Sequence, residues 1–190
     1  MLPFGHIAIS YLISQIPRLK GKNLNWKEVL FVILCGTLFD VDFFLLEIIG
    51  LPGRIHHYLP THTLLFGIFY FLILYILLRK KLSLSVLKLG ALAMVSHLVL
   101  DDLDYWFSLL GLEEEITPQI FWFYPFDWRM NVEIEKLFSS FSPQKFSFVS
   151  LIKNYITKTP KVFVLEVLFF ISAFGVFLRK CLKTLKQKTL

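Results

Sequence analysis

His97 and Asp101 stand four residues apart in SHLVLDDLDYW, so a helix there projects an imidazole and a carboxylate from one face. Asp104, three residues further on, continues the same stripe. Such a pair can place a ring nitrogen and a carboxylate oxygen on one cation, and it also occurs as plain hydrogen-bonded structure. Asp40 and Asp42 in GTLFDVDF are two residues apart and point to roughly opposite sides of a regular helix. Either Gly36 helps distort that helix so that both turn inward, or one ligates an ion while the other orients a ligating histidine. The remaining histidines are His6 in GHIAIS and His56, His57 and His62 in HHYLPTHTLL.

The elements that must position these side chains belong to a membrane protein. The 190 residues are 56% hydrophobic with 21 Phe, and the mean hydropathy is +0.64, outside the usual soluble range. Lys and Arg (20) exceed Asp and Glu (14), an excess that in a membrane chain reports orientation, so no nucleic-acid partner is expected. Cys35 and Cys181 form neither a disulfide framework nor a CxxC motif.

Crossing a hydrocarbon core of about 30 Å takes roughly 20 helical residues. Four segments qualify: about 27–49, 61–79, 84–106 and 161–179. Asn25 with Glu28 forms a capping box at the start of the first, and Thr159-Pro160 supplies an N-cap and first-turn proline for the last. A shorter apolar segment, Pro3 to Ile16, has no basic residue before it and no small-x-small cleavage site, so it is expected to stay in the mature protein. The expected fold is therefore all-α. One transmembrane domain over residues 1–190 would hold about four full spans plus a short N-terminal helix, with a surface cap over 107–160 between the last two spans. That cap contains the acidic GLEEEITPQ, the aromatic run IFWFYPFDW and a helix start at Ser142-Pro143.

Arg18, Lys20, Lys22 and Lys27, then Arg79, Lys80, Lys81 and Lys88, then the basic tail from Arg179 to Lys188 hold most of the basic residues. Basic stretches stay cytoplasmic, and these three alternate correctly with the spans. Residues 50–60 and 107–160 then face the outside of a multi-pass protein of the cell (inner) membrane. On this topology His6, Asp40, Asp42, His62, His97 and Asp101 converge from four segments on the outer leaflet. A carboxylate near the centre of a span costs roughly 2.5–3.5 kcal/mol, so such acids need a partner or a task. A metal site answers that need, and a polar network of hydrogen bonds and waters is the competing reading.

The blocks GHIAIS, GTLFDVDF, HHYLPTHTLL, SHLVLDDLDYW and FWFYPF resemble, in order and approximate spacing, a family of small bacterial and archaeal membrane proteins known as membrane-bound metal-dependent hydrolases. The likeness covers roughly residues 4–126. It implies His6, Asp40, Asp42, His62, His97 and Asp101 as metal ligands. More loosely, the order of ligands is similar to that of the zinc-dependent phospholipase C family, which implies phosphoester cleavage. The chain departs from the family at Phe39, where a proline precedes the first Asp, at His57, where an arginine often follows the block's first His, at Thr63 for serine and at Asp104 for threonine. Arg54 is the nearby candidate for the missing phosphate-binding cation, and Asp104 adds charge that would suit a second ion.

The expected function is a metal-dependent hydrolase acting on a lipid or lipid-linked ester or phosphoester at the outer interface, with membrane lipids as partners. A mixed His/Asp shell suits Zn²⁺ best, with Mn²⁺ or Fe²⁺ as alternatives. Such an ion lowers the pKa of a bound water from about 15.7 to about 7. Asp42 or Asp104 is the candidate general base, and Arg54, His56 and His57 are the candidate substrate contacts. Two other functions remain open: a non-catalytic membrane protein with a structural metal or polar cluster, and an ion- or proton-coupled transporter.

Overall fold

The computed structural model describes residues 3–16, 23–49, 56–57, 59–78, 82–111, 153, 156–157 and 159–188. Among them every regular element is helical: α1 (Pro3–Ser14), α2 (Trp26–Cys35), α3 (Val41–Ile48), α4 (Leu64–Leu78), α5 (Leu84–Asp101), α6 (Leu103–Leu109) and α7 (Pro160–Lys188). Short 3-10 turns lie at Leu38–Asp40 and Pro60–His62.

The capping box at α2 forms as the sequence predicts. Asn25 Oδ1 accepts from the backbone N–H groups of Lys27 and Glu28, each at 3.0 Å, and Glu28 Oε2 accepts from the Asn25 N–H at 2.9 Å. Three otherwise unpaired N–H donors at the helix start are thereby satisfied. Helix α7 starts at Pro160, where the missing N–H costs nothing, and runs on through the basic tail to Lys188.

Helix α5 is central. Val86, Leu87, Leu89 and Ala93 pack against Ile9 and Ile13 of α1 and Phe31, Val32 and Cys35 of α2, and α1 also lies along α7. Glycines set the closest approaches. A Cβ on Gly36 would sit 2.0 Å from Ser10 Oγ and 3.2 Å from the Ala93 carbonyl oxygen, so α1, α2 and α5 meet there. Leu65, Ile68, Phe69, Leu72, Ile76 and Leu77 of α4 are exposed, the apolar surface expected of a helix in contact with lipid.

The four full spans expected from composition are not all realised. Among the described residues α5 and α7 are long and apolar enough to cross a membrane, and a third crossing exists only if the bent pair around Gly36 counts as one. Over 27–49 the chain bends by 58° between α2 and the Leu38–Leu46 segment. Over 61–79 the helix has 15 residues, since Pro60–His62 form a separate turn. That gives about 22 Å, short of a full hydrocarbon core. The segment expected over 84–106 ends at Asp101, with α6 starting anew at Leu103. Most of the expected cap lies outside the described residues.

Candidate metal centre

The HxxxD pair sits at the C-terminal end of α5 with both side chains buried, His97 Nε2 lying 3.0 Å from Asp101 Oδ2. His97 Nδ1 is 2.9 Å from the Gly36 carbonyl oxygen and, facing an acceptor, must donate to it. In a neutral ring Nε2 is then an acceptor. It nevertheless faces two carboxylates, Asp101 and, at 3.8 Å, Asp40 Oδ1. Lone pair against carboxylate is repulsive unless a second proton or a metal ion lies between them.

Helix α1 adds His6, whose Nε2 is 2.8 Å from Asp101 Oδ1 and whose ring lies 4.0 Å, centroid to centroid, from that of His97. The break after α2 adds Asp40. Gly36 and Thr37 end the helix, Thr37 Oγ1 donates to the Ile33 carbonyl at 2.9 Å, and the following 3-10 turn carries Asp40 inward, where it is buried. His6, Asp40, His97 and Asp101 can each bring one ligand atom within 4.8 Å of the others.

The 56–62 stretch closes the site. His56, His57 and His62 are all buried and can also bring one ligand atom each within 4.8 Å of one another. His62 Nε2 lies 4.0 Å from Asp40 Oδ1 and 3.9 Å from Asp101 Oδ2, while His56 Nε2 is 3.8 Å from Asp40 and His57 Nε2 3.8 Å from Asp101. Phe39 forms a wall, stacked on His97 at 5.0 Å and edge-on to His62 at 6.0 Å.

Of the expected ligands, His6, Asp40, His62, His97 and Asp101 come together. Asp42 stands one step back: its Oδ2 accepts a hydrogen bond from Thr61 Oγ1 and lies 3.4 Å from His62 Nδ1. Asp40 thus faces the other ligands, while Asp42 lies beside the opposite nitrogen of His62. His56 and His57, expected at a substrate entrance, lie inside the cluster. Arg54 and the Asp104 side chain lie outside the described residues. Glu166 of α7 is buried but is not among the clustered ligands.

The residues present fit a divalent cation. Two ligands about 2.1 Å from one ion are about 3.0–4.2 Å apart across the usual coordination angles. The 3.8–4.0 Å separations fall inside that window and beyond hydrogen-bond range. The nitrogens His62 Nε2 and His97 Nε2 and the oxygen Asp40 Oδ2 are buried and make no hydrogen bond among the described residues.

A family model described as YdjM inner membrane protein matches residues 1–182 of the chain, in agreement with the apolar helices that mark it as a membrane protein. No curated protein and no solved structure matches it.

Proposed function

We propose that this chain, which belongs to the YdjM inner membrane protein family, is a metal-dependent hydrolase acting on a lipid or lipid-linked ester or phosphoester at the membrane surface. The observation that carries the proposal is the placement of His97: with Nδ1 committed to Gly36, its Nε2 turns toward Asp40 and Asp101 with no hydrogen bond to either. A hydrogen-bonded network would pair these atoms; a cation between them makes every one a ligand.

His6, Asp40, His97 and Asp101 would hold the ion, Zn²⁺ fitting this hard-to-borderline set best. The ion would acidify a water and polarise the scissile oxygen. Asp42, which accepts from Thr61 and lies 3.4 Å from His62 Nδ1, is the described carboxylate beside the cluster that would take a proton. Phe39 and the buried packing around the cluster exclude bulk water. The exposed apolar faces of α4 and α7 favour a substrate that arrives through the lipid phase over a freely soluble one.

One specific observation favours a structural role instead. The ligands come from α1, the turn after α2 and α5, so an ion would also staple three parts of the chain. Hydrolysis of a panel of phospholipids, lipid phosphates and carboxyl esters by the metal-loaded protein in detergent separates the two. Turnover that disappears in Asp101→Ala supports the enzyme. Full metal content with no turnover across the panel supports the staple.

A further inference from the structure

The cluster contains more ligands than one ion can use. Five histidines and two aspartates surround it, while a Zn²⁺ ion of this class takes four or five ligands. The surplus is not scattered. His56, His57 and His62 form a group of their own, with ring centroids 3.9 Å apart for His56 and His57, 4.6 Å for His56 and His62 and 5.4 Å for His57 and His62. The other group, His6 and His97 with their two aspartates, is equally close.

We propose that the site holds two divalent cations, the second bound by His56, His57 and His62, with Asp40 and Asp101 shared between the pair. The carboxylates carry the sharing. Asp101 Oδ1 faces His6 at 2.8 Å and His57 at 3.8 Å, and its Oδ2 faces His97 at 3.0 Å and His62 at 3.9 Å. Asp40 Oδ1 lies 3.8 Å from both His97 and His56 and 4.0 Å from His62. Each aspartate therefore stands between one nitrogen set and the other, the position of a bridging ligand.

An independent feature points to an ion at the second set. The His62 side chain is completely buried, and its Nε2 aims at the carboxylates without a hydrogen bond among the described residues. Its other nitrogen lies 3.4 Å from Asp42 Oδ2 and 3.5 Å from Thr61 Oγ1, whose hydroxyl donates to Asp42. A carboxylate on the far nitrogen is the usual companion of a metal-bound histidine, because it sets the tautomer and raises the basicity of the ligating atom. Two ions held by shared carboxylates would suit an in-line displacement at phosphorus, one of the reactions that two-metal sites serve.

This inference deepens the hydrolase reading and rests on it only for the reaction, so the test counts ions first. Purified full-length protein is loaded with Mn²⁺ or Zn²⁺ alone and the bound metal counted, and the Mn²⁺ form is examined by electron paramagnetic resonance. Two ions per chain are expected, with an exchange-coupled Mn²⁺ spectrum in the wild type. His56→Ala/His57→Ala should bind one ion and give the spectrum of an isolated Mn²⁺, and His6→Ala should lose one ion while keeping the other. A wild type that saturates at one ion, or carries two without magnetic coupling, overturns the proposal whatever the variants do. One ion with lipid hydrolysis would leave the hydrolase standing and remove the second site. Two coupled ions with no hydrolysis would do the reverse.

Discussion

His97 donates from Nδ1 to the Gly36 carbonyl, which leaves Nε2 as the atom that faces Asp40 and Asp101. Its four-residue spacing to Asp101 was readable because helix geometry alone puts both on one face. Its tautomer was not, because the acceptor that fixes it, the Gly36 carbonyl, lies 61 positions away in sequence. His56 and His57 were harder still. Adjacent residues share no face on any regular element, and only the return of the 56–62 stretch onto α5 puts both beside the aspartates. Asp42 was legible as one of two alternatives, and its place beside His62 Nδ1, away from the other carboxylates, supports the orienting one. Asp42→Asn keeps the size of the side chain and removes its charge. It should weaken metal binding by about 10–100-fold while leaving the number of ions unchanged. Competition against a chelator of known affinity measures this; unaltered affinity would mean that Asp42 has no hold on His62.

Helix starts were easier to read than helix ends. Asn25 with Glu28 and the Thr159-Pro160 step act over three or four neighbouring residues, so their chemistry is complete in the local sequence. The break at Gly36 was half legible: glycine suggested a distortion, yet the sequence stays mostly apolar on both sides of it and says nothing about backbone direction. For the same reason composition puts Thr61, His62 and Thr63 in a span whose helix starts only at Leu64. The break does two jobs, turning Asp40 inward and freeing the carbonyl that His97 uses. Gly36→Val would drive a branched side chain into Ser10 and the Ala93 carbonyl. Overpacking of that kind costs about 1–3 kcal/mol. A lower melting temperature together with reduced metal content is expected, because α1 and α5, which carry His6 and His97, are forced away from α2. A loss of stability with full metal binding would show that the close approach matters to packing alone.

Across the whole molecule, composition identified a membrane protein, and the family match and the apolar helices agree. Hydropathy gives more uninterrupted spans than the described residues contain, because it counts apolar residues and not the turns among them. The distribution of charge makes a separate prediction about sidedness. With the basic stretches around 18–27, 79–88 and 179–188 on the cytoplasmic side, a cysteine placed by Glu114→Cys in a Cys181→Ser background should react with an impermeant maleimide from outside intact cells. Lys186→Cys should react only after the membrane is opened. The reverse pattern would put the cluster at the cytoplasmic surface and turn the search for substrates inward.

The proposed chemistry depends on a cation between the imidazoles and carboxylates of His6, Asp40, His97 and Asp101. The most direct measurement is the metal content of the purified full-length protein after equilibration with Zn²⁺, Mn²⁺ or Fe²⁺ and removal of unbound ion, beside Asp101→Ala treated identically. At least one tightly held ion per wild-type chain, lost in the variant, is the predicted result. A wild type that keeps its helical content yet retains no metal under any of the three conditions would contradict it and return the cluster to a network of hydrogen bonds.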